Sequence, residues 1–456
     1  MITRRFITRR LPFVLALIAL AFYAAVRPAD AKSVLFLSNP PTQPGKFQRL
    51  TEPGAAAGIA VTHRQVNDLD PAKAAAELSA YDLVVIDAPY GAAMDSSKAK
   101  LAPVLPQVTA PWLWVRNNGH EQRGLAAADA DLLVPYFRYG GRANFAAFFC
   151  QLNKTVFQGS ATEGWVAWAG RKLVWGETAC APARPFPEAA FYHPARDGEV
   201  FPDLASYLAW KGIDPARRPP AVAILFHQAY MTAGLTGFID DMINRVEQAG
   251  AVALPLYVNA MRNGDIEHLL RGADGKPFAG VIINTQIMLN PDGRKAEFEQ
   301  MGIPVLQAMP YRKGEEADWR ADPVGLTPTD VPFYLAQPEY AGVIDPIIAA
   351  YTRKSDGDIV GIEEQTASVA GKALALLRLQ RLPAAERKAA LFFWNYPPGE
   401  TNLGASFLNL PRSLENLTRA MAAQGYQTAT PDAEKLTRQM QALLAPYYLS
   451  LIHISQ

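Results

Sequence analysis

The segment AVAILFHQAYMTAGLTGFIDDMINRVEQAGAVALPLY, residues 221–257, decides the fold. It opens on the apolar run 221–226, continues through a helical pattern over 237–249 that stops at Gly250, and leads into a second apolar run over 252–258. Short runs that are apolar at every position are typical of strands buried on both faces of a parallel sheet. The segment therefore predicts a β-α-β unit.

The same alternation of strands and helices extends in both directions from this unit. Upstream, we predict strands over 33–38, 82–87 and 112–116, and helices over 71–80 and 140–153. Downstream, we predict strands over 280–283, 305–307 and 390–394, and helices after the turn at 290–293, over 363–379 and over 413–423. The whole pattern predicts a repeated doubly wound α/β fold, with Rossmann-like parallel sheets that carry helices on both faces.

Composition predicts how the chain is divided into domains. The predicted parts are a signal peptide over 1–31, an N-terminal α/β domain over 32–216, a second α/β domain over 217–385, the start of a further domain over 386–448, and a non-native tail over 449–456. Within the N-terminal domain, a Trp-rich stretch around 165–175 indicates a hairpin, and the Pro-rich stretch 178–220 is expected to be irregular.

Residues 1–31 have the three-part build of a secretory signal peptide. Two arginine pairs precede the apolar run 11–26, and Ala29-Asp30-Ala31 supplies a cleavage site made of small residues. The arginine pairs also allow a twin-arginine export signal. The alternative is an uncleaved membrane anchor, but the apolar run is shorter than the roughly 20 residues that span a bilayer. We predict an exported, periplasmic protein that is cleaved after Ala31.

Charge and cysteine content restrict the class of protein. The 456 residues carry 44 Lys+Arg and 43 Asp+Glu, and without residues 1–31 the formal net charge falls from +1 to −3. Such a balance gives no surplus to neutralise phosphates, so we expect no nucleic-acid partner. Six histidines and two cysteines exclude a metal array and a disulfide scaffold. Cys150 and Cys180 would meet an oxidising compartment, but the sequence leaves open whether they form a disulfide.

Familiar catalytic motifs are absent from the sequence. No G-x-x-x-x-G-K-[ST] string occurs, so we expect no nucleotide site of the Walker type in this chain. The strings H-E-x-x-H and G-x-S-x-G are also missing. The histidines are scattered, so a metal site would have to be assembled across the fold.

Polar residues follow many of the predicted strands, where open α/β sheets bind their ligands. They are Ser38-Asn39, Asp87-Ala88, Asn117-Asn118, His227-Gln228, Asn284-Thr285-Gln286 and Asn395-Tyr396. Asparagine and proline are also ordinary turn residues, so an equally simple interpretation is that these segments only end strands.

Two long stretches, 221–257 and 391–426, closely resemble the large subunit of cobaltochelatase and magnesium chelatase. Shorter strings in the order used by that family are YGGRAN at 139–144, YHP at 192–194, YLAW at 207–210, IPVLQA at 303–308, GLTP at 325–328 and PE at 338–339. The resemblance covers roughly residues 135–426. Chains of this family continue well beyond the second stretch, so we expect this one to lack their C-terminal portion.

The resemblance implies a chain that binds a tetrapyrrole and a divalent metal, cobalt or magnesium, for ATP-dependent metal insertion in cobalamin-type biosynthesis. Tetrapyrrole and metal are then substrates, and separate AAA+ ATPase subunits are the implied partners. This division of labour agrees with the missing P-loop.

The resemblance also implies site residues. Glu339 is the first candidate for a metal ligand or proton acceptor, because a carboxylate supplies both a hard oxygen ligand and a base. His227 is the second candidate for both roles, and Tyr230 is a candidate ring contact. The loop candidates for tetrapyrrole binding are Asn395, Tyr396, Pro397, Pro398, Asn402 and Gly404. A surface carboxylate at 339 and a rigid structural loop at 395–404 are the simpler interpretations.

The sequence departs from the family pattern at positions in or near the candidate site residues. The family more often has an aromatic residue, an Arg and a His where this chain has His227, Gln228 and Tyr230, and an Asp where this chain has Ala341. An exported copy would also be separated from ATP. Two alternatives therefore stay open: a periplasmic haem or corrinoid carrier or metal-removing protein that works with an outer-membrane uptake receptor, and a non-catalytic α/β solute-binding module.

Overall fold

The computed structural model describes residues 32–39, 42, 44–88, 91–116, 119–158, 164–168, 171–175, 180–196, 199–259, 261–392, 403–405 and 408–452. The predicted signal peptide lies outside these residues. The chain forms two compact units, of which one reaches to Ala373 and the other begins at Leu374. The first unit contains two α/β lobes, called here the first lobe (32–155) and the second lobe (190–362).

The first lobe is built on one sheet. Its strands are β1 (Lys32–Ser38), β2 (Ile59–Gln65), β3 (Leu83–Asp87), β4 (Trp112–Val115) and β5 (His120–Arg123). Its helices are α1 (Gly45–Ala56), α2 (Ala74–Ser79), α3 (Gly91–Leu101), α4 (Ala127–Tyr139) and α5 (Arg142–Thr155). The strand order is β2-β1-β3-β4-β5, with β1 to β4 parallel and β5 antiparallel.

Alternate residues of β1 enter different cores, because successive side chains of a strand point to opposite faces. Val34 and Phe36 pack with residues of α1, α4 and α5 in an aromatic-rich core, in which the rings of Phe36 and Phe137 lie 5.5 Å apart. Leu35 and Leu37 pack with residues of α2 and α3 on the other face. The first sheet is therefore covered on both sides, as predicted.

A hairpin and a disulfide follow the first lobe. Strands β6 (Gly164–Trp168) and β7 (Arg171–Trp175) pair in antiparallel fashion where the Trp-rich stretch predicted a hairpin. Cys150, which lies on α5, forms a disulfide with Cys180, and their Cα atoms are 5.8 Å apart. The sequence left open whether these two cysteines are bonded, and the structure shows that they are.

The second lobe repeats the architecture of the first. Its strands are β8 (Ala190–Phe191), β9 (Ala221–Phe226), β10 (Val252–Tyr257), β11 (Val281–Asn284), β12 (Val305–Tyr311), β13 (Ile344–Thr352) and β14 (Ile359–Gly361). Its helices are α6 (Leu204–Lys211), α7 (Gln228–Ala233), α8 (Gly237–Gln248), α9 (Asp265–Leu270), α10 (Pro291–Met301), α11 (Glu316–Ala321) and α12 (Gln337–Tyr340). A π-helical turn over Pro332–Ala336 leads directly into α12.

The strand order of the second sheet is β14-β13-β12-β11-β9-β10-β8. Strands β9 to β13 are parallel, and the short strands β8 and β14 add antiparallel edges. Numbered within each lobe, the first four parallel strands of both sheets have the order 2-1-3-4, which is that of a doubly wound fold. The predicted repeated α/β architecture is confirmed.

Two parts of the second lobe differ from the sequence-based expectation. The Pro-rich stretch is not irregular throughout, because it contains β8 and the helix α6, which is capped by Asp203 through a 2.7 Å bond from the Ser206 N–H. Both elements precede the proposed boundary at 216/217, yet Phe191 and Tyr207 pack into the core beneath β9 and β10. The assignment of domains itself remains a prediction.

The unit that begins at Leu374 receives the end of helix α13 (Glu363–Arg381) and contains β15 (Gly404–Ala405), β16 (Leu408–Asn409), α14 (Leu410–Ala423) and α15 (Ala433–Ile452). The strand predicted over 390–394 is wrong for the part that the structure describes, because 390–392 are irregular and Phe392 is 96% exposed. Helix α15 runs through residues 449–452 of the predicted tail. No described helix is both long and apolar enough to cross a membrane.

Candidate functional site

The candidate site lies at the carboxyl ends of the neighbouring strands β9 and β11. After β9 the chain forms β10, towards one edge of the second sheet, and after β11 it forms β12, towards the other edge. Ligands of open α/β sheets bind in the crevice at such a reversal of strand order. His227 directly follows β9, and the segment Asn284-Thr285-Gln286 ends β11 and runs beyond it. The structure therefore brings together two of the polar segments that the sequence marked separately.

The amides at this edge are buried and bonded to the sheet. Gln286 donates from Nε2 to the Phe226 carbonyl at 2.7 Å, and Asn284 donates from Nδ2 to Gln307 Oε1 at 2.7 Å. The Thr285 hydroxyl donates to the Leu225 carbonyl at 3.0 Å. These bonds tie the ends of β9, β11 and β12 to one another, so the three side chains fix the shape of the crevice.

His227 is a titratable group at this edge, because it directly follows β9. It is half-buried, and burial, reinforced by the nearby Arg294 guanidinium, lowers its pKa to about 4. Its imidazole is therefore neutral at pH 7 and keeps a lone pair for a metal or a proton. The Tyr230 ring lies edge-on to it, with 6.5 Å between ring centroids.

Tyr230 forms a pair with Tyr334 of the π-helical turn. The two hydroxyls share a hydrogen bond, and burial raises the pKa of Tyr230 to about 12 and the pKa of Tyr334 well above 10. Both phenols therefore stay protonated at any physiological pH. π-Helical turns are rare and are frequent at functional sites, so this one is a structural signal in its own right.

Apolar side chains are exposed beside the tyrosine pair. Phe333 is 37% exposed and Leu289 is 39% exposed, and the Met288 N–H donates to the Phe333 carbonyl at 3.0 Å. We call Tyr230, Leu289, Phe333 and Tyr334 together the aromatic edge. A cation lies near this edge, because Arg312 interacts electrostatically with both tyrosines. Arg312 is 58% exposed and pairs with the buried Asp330 at 2.8 Å.

Glu339 lies on the same helical run as Tyr334. It is exposed on α12 and forms no ion pair with another described residue. The next residue anchors this helix to α10, because the Tyr340 hydroxyl donates to Asp292 at 2.8 Å and Lys295 lies over its ring. Within the described ranges, no three His, Cys, Asp or Glu side chains are close enough to hold a metal ion together. The roles of Glu339 and His227 remain predictions.

The loop candidates fall almost entirely outside the described residues. This applies to Asn395, Tyr396, Pro397, Pro398 and Asn402. Gly404 is described and begins β15, where it pairs with Asn409 of β16. Their predicted contact with a tetrapyrrole stays a prediction.

Sequence reasoning missed Arg312, Phe333 and Tyr334. All three lie in a stretch with weak periodicity between β12 and α12. A signal was present, because the adjacent aromatics Phe333-Tyr334 stand between the strings at 325–328 and 338–339 that carry the resemblance.

The first sheet has a smaller polar cluster at the equivalent place. Lys46 at the start of α1 contacts the buried Asp87 at 2.7 Å and lies 4.0 Å from the Phe137 ring centroid. The Ser38 hydroxyl lies 2.8 Å from His63 Nε2. Burial lowers the pKa of His63 to about 4, although Asp87 and Asp68 oppose the shift. These groups satisfy one another, so the second lobe carries the stronger candidate site.

The second lobe is an α/β sheet with a half-buried histidine and an aromatic edge at the carboxyl ends of its strands, which is where open α/β sheets bind ligands. Comparison with known proteins is more specific. The CobN/Magnesium Chelatase family model matches residues 134–446. The chain belongs to this family.

Relatives agree with that assignment. The chain is 28% identical over 319 residues to the aerobic cobaltochelatase subunit CobN of Pseudomonas aeruginosa, which covers 66% of this chain and 23% of that protein. It is 23% identical over 275 residues to the chloroplastic magnesium-chelatase subunit ChlH of Oryza sativa, which covers 56% of this chain and 20% of that protein. This chain thus spans about a fifth to a quarter of the length of these curated relatives.

A solved structure shows the same fold. The catalytic subunit of cobaltochelatase from Mycobacterium tuberculosis matches with a TM-score of 0.63 at 21% identity, over 91% of this chain and 33% of that chain. The match extends well beyond the 134–446 range of the family model.

Proposed function

We propose that the chain binds a tetrapyrrole at the aromatic edge of the second lobe and takes part in inserting a divalent metal into it. The observation that carries the proposal is the aromatic edge itself, in which the exposed side chains of Leu289 and Phe333 accompany the buried Tyr230–Tyr334 pair near the strand ends. A flat macrocycle buries its face against such a surface. Family membership supports the choice of ligand.

The cation near the aromatic edge suits the periphery of the ligand. Biosynthetic tetrapyrroles carry carboxylate side chains, and an exposed guanidinium can bind a carboxylate through two parallel hydrogen bonds. Arg312 is held by Asp330, which also accepts a 2.5 Å bond from the Thr327 hydroxyl. Its position is therefore fixed while much of its side chain remains accessible.

The two candidate catalytic groups have complementary chemistry. Metal insertion requires a base for the two pyrrole N–H protons and a transient ligand for the incoming ion. His227 is neutral at pH 7 and offers a nitrogen ligand, and Glu339 offers an exposed carboxylate. We propose that cobalt or magnesium reaches the ring as a substrate through these two side chains, and that AAA+ partner subunits supply the energy of ATP hydrolysis.

We also propose that the protein is exported. The build of residues 1–31 supports this, and so does the Cys150–Cys180 disulfide, because such bonds persist in oxidising compartments. Fusing residues 1–35 to a reporter that is active only after export tests the localisation. Retention of the reporter in the cytoplasm would overturn it.

Ring binding is tested by titrating the purified chain with protoporphyrin IX, haemin and a cobyrinic acid. We expect a shift of the Soret band and quenching of intrinsic fluorescence with at least one ring. Phe333→Ala and Leu289→Ala should each weaken binding about tenfold, because about 1.4 kcal/mol of apolar contact is lost. Leu132→Ala is the matched control, because Leu132 is 42% exposed on α4 of the first lobe. A wild-type chain that binds none of the rings would overturn the proposal.

Metal transfer is tested separately. Glu339→Gln should leave ring affinity unchanged and weaken the binding of cobalt to the ring-loaded chain. Glu52→Gln, which changes an exposed carboxylate on α1, is the control. Unchanged cobalt affinity in the Glu339 variant would remove that residue from the site. Ring binding without metal insertion when ATPase subunits are supplied would refute chelatase activity.

A further inference from the structure

The string YGGRAN at 139–144, which the candidate site does not use, lies where the first lobe meets the second. Gly140 and Gly141 link α4 to α5 with φ angles of +65° and +77°, which only glycine adopts readily. The Gly141 N–H donates to the Thr232 carbonyl at 2.7 Å, and a Cβ atom on Gly140 would collide with the same carbonyl oxygen. Both glycines therefore serve a close backbone contact between lobes.

Asn144 fixes this glycine turn from within. Its Nδ2 donates to the carbonyls of Gly140 at 2.8 Å and Arg184 at 2.9 Å, and its Oδ1 accepts the Arg184 N–H at 3.0 Å. The side chain is buried. The turn is thus a rigid feature of the first lobe, and it presents the Gly141 N–H in one direction.

The residue that receives this contact belongs to the candidate site. Thr232 lies on α7, a helix of six residues that begins directly after His227 and contains Tyr230. The Leu235 N–H closes the end of this helix on the Tyr230 carbonyl at 2.8 Å. Because α7 is so short, a contact that fixes Thr232 also limits where Tyr230 can lie.

Two arginines of the first lobe bracket the end of α7. Arg142 Nη2 lies 3.5 Å from the Gly234 carbonyl, and the Cγ atoms of Arg142 and Arg49 lie 3.5 and 3.6 Å from the place that a Cβ atom on Gly234 would occupy. Arg49 Nη2 also contacts Asp358 at 2.6 Å and Asp356 at 3.4 Å, on the connection between β13 and β14. The corner between α7 and α8 is therefore held by residues from α1 and α5.

We propose that Gly140, Gly141 and Arg142, together with Arg49, are positioning residues, through which the first lobe sets the orientation of α7 and hence the place of Tyr230 and His227. What the positioned site binds rests on the proposed function. The positioning itself does not, because it is a contact between two parts of this chain.

Gly140→Ala tests the proposal, with Gly58→Ala as the matched control. Both glycines have a positive φ, but a Cβ at Gly58 meets no atom within 4 Å, so the control imposes backbone strain without a collision. We measure hydrogen–deuterium exchange of the amides of 230–235 by mass spectrometry. We expect exchange about tenfold faster in Gly140→Ala and unchanged in Gly58→Ala, while the amides of α10 stay protected in both.

Arginine variants repeat the test without changing the backbone. Arg142→Ala and Arg49→Ala should also speed exchange over 230–235, and Arg142→Lys should restore much of the protection because it keeps a stem and one donor. Arg64→Ala is the control, because Arg64 pairs with Glu77 inside the first lobe. The arginine series decides the question if Gly140→Ala does not fold.

Ring titration of the same variants distinguishes the two proposals. If the wild type binds protoporphyrin IX, Gly140→Ala should weaken that binding at least fivefold and alter the Soret maximum, whereas Gly58→Ala should do neither. If the wild type binds no ring, the proposed function fails and the exchange result still decides the positioning. Exchange over 230–235 that is unchanged in the Gly140 and arginine variants would overturn the inference.

Discussion

Arg49 Nη2 lies 2.6 Å from Asp358 Oδ2, and the two residues belong to different lobes. The carboxylate is 9% exposed and the arginine 21% exposed, so water screens this pair only weakly. Removing Arg49 leaves the buried Asp358 carboxylate with only the more distant Arg353 guanidinium, at 3.9 Å, as a described ion-pair partner.

This ion pair gives the first prediction. Arg49→Ala should lower the free energy of unfolding by about 2 to 4 kcal/mol, and Asp358→Asn by less, because Arg49 then keeps Asp356 as a partner at 3.4 Å. In a double-mutant cycle measured by urea denaturation, we expect a coupling energy of about 1 to 3 kcal/mol. Additive effects of the two substitutions would contradict the pairing.

Asp240 makes stability depend on pH near this contact. Burial is the main cause that raises its pKa to about 6, with Asp358 adding to the shift, while hydrogen bonds from Tyr192 and Thr236 oppose it. The folded-state pKa exceeds the ordinary value of 3.8, so the neutral carboxyl favours the fold. This contribution is complete below about pH 4 and is lost as the pH rises through 6.

The measurement is urea denaturation of the wild type and Asp240→Asn at several pH values from 4 to 7. The stability of the wild type relative to the variant should fall by roughly 2 to 3 kcal/mol over that range. Asp241→Asn controls for placing an amide on the same helix. A difference between wild type and Asp240→Asn that is constant with pH would show that Asp240 titrates normally.

The buried pair Arg294–Glu297 gives a third prediction. Their side chains are 4% and 3% exposed and 2.5 Å apart, and Glu297 also accepts the N–H groups of Ile266 and Glu267 at 2.9 and 3.0 Å. Arg294→Met should cost about 3 to 5 kcal/mol, because the carboxylate stays buried without its cation. Adding Glu297→Gln should recover part of the loss.

Thermal and urea denaturation measure both Arg294 variants. Arg320→Met is the control, because Arg320 is exposed and its Glu316 partner lies one helical turn away, so we expect a cost below about 1 kcal/mol. Equal costs for Arg294→Met and Arg320→Met would be inconsistent with the buried pair.

The Cys150–Cys180 disulfide gives a fourth prediction. It closes a loop with a sequence separation of 30 residues, so reducing it should lower the free energy of unfolding by about 3 to 4 kcal/mol. Urea denaturation with and without dithiothreitol measures the effect. The double variant Cys150→Ala/Cys180→Ala should match the reduced wild type and should not respond to dithiothreitol, and a wild type whose stability is the same with and without dithiothreitol would contradict the prediction.

Strands that are buried on both faces were predictable from the sequence. Strand β9 is apolar and buried at all six positions, and in β1 the five positions from Val34 to Ser38 are buried. The helices between them were predictable for a related reason, because an apolar stripe at helical spacing needs a sheet to cover it. Strands and helices were therefore predictable wherever burial left a continuous apolar run or an apolar stripe in the sequence.

Strands at the edge of a sheet or next to it were not predictable in the same way. In β2 only Ile59 is fully buried, and the strand ends in the polar residues His63, Arg64 and Gln65, which look like a loop. Strand β13 contains Pro346, and Asp345 has a φ angle of +51°, so the strand pattern is broken near its start. Both strands depend on a neighbour that the local sequence does not reveal.

The location of the candidate site was predictable from the sequence, but the contacts between its residues were not. The strand-end positions of His227 and Asn284 follow from the β-α-β pattern, so the crevice could be located. The pairing of Tyr230 with Tyr334 depends on a π-helical turn far along the chain, and no periodicity indicates that contact. The bonding of Gln286 to Phe226 likewise depends on the order of strands in the sheet.

The two-residue strand β8 has a consequence for how this architecture can be inherited or rearranged. Phe191 pairs with Leu256 at the edge of the second sheet and, on its other side, forms an isolated bridge with Phe201, just before α6. A genetic exchange that cut the chain at the Pro-rich joint near 217 would strip this edge from the sheet and open the core around Tyr207. A complete second lobe therefore includes β8 and begins no later than Ala190. A recombination or gene fusion that keeps this lobe folded must include the residues from β8 onward.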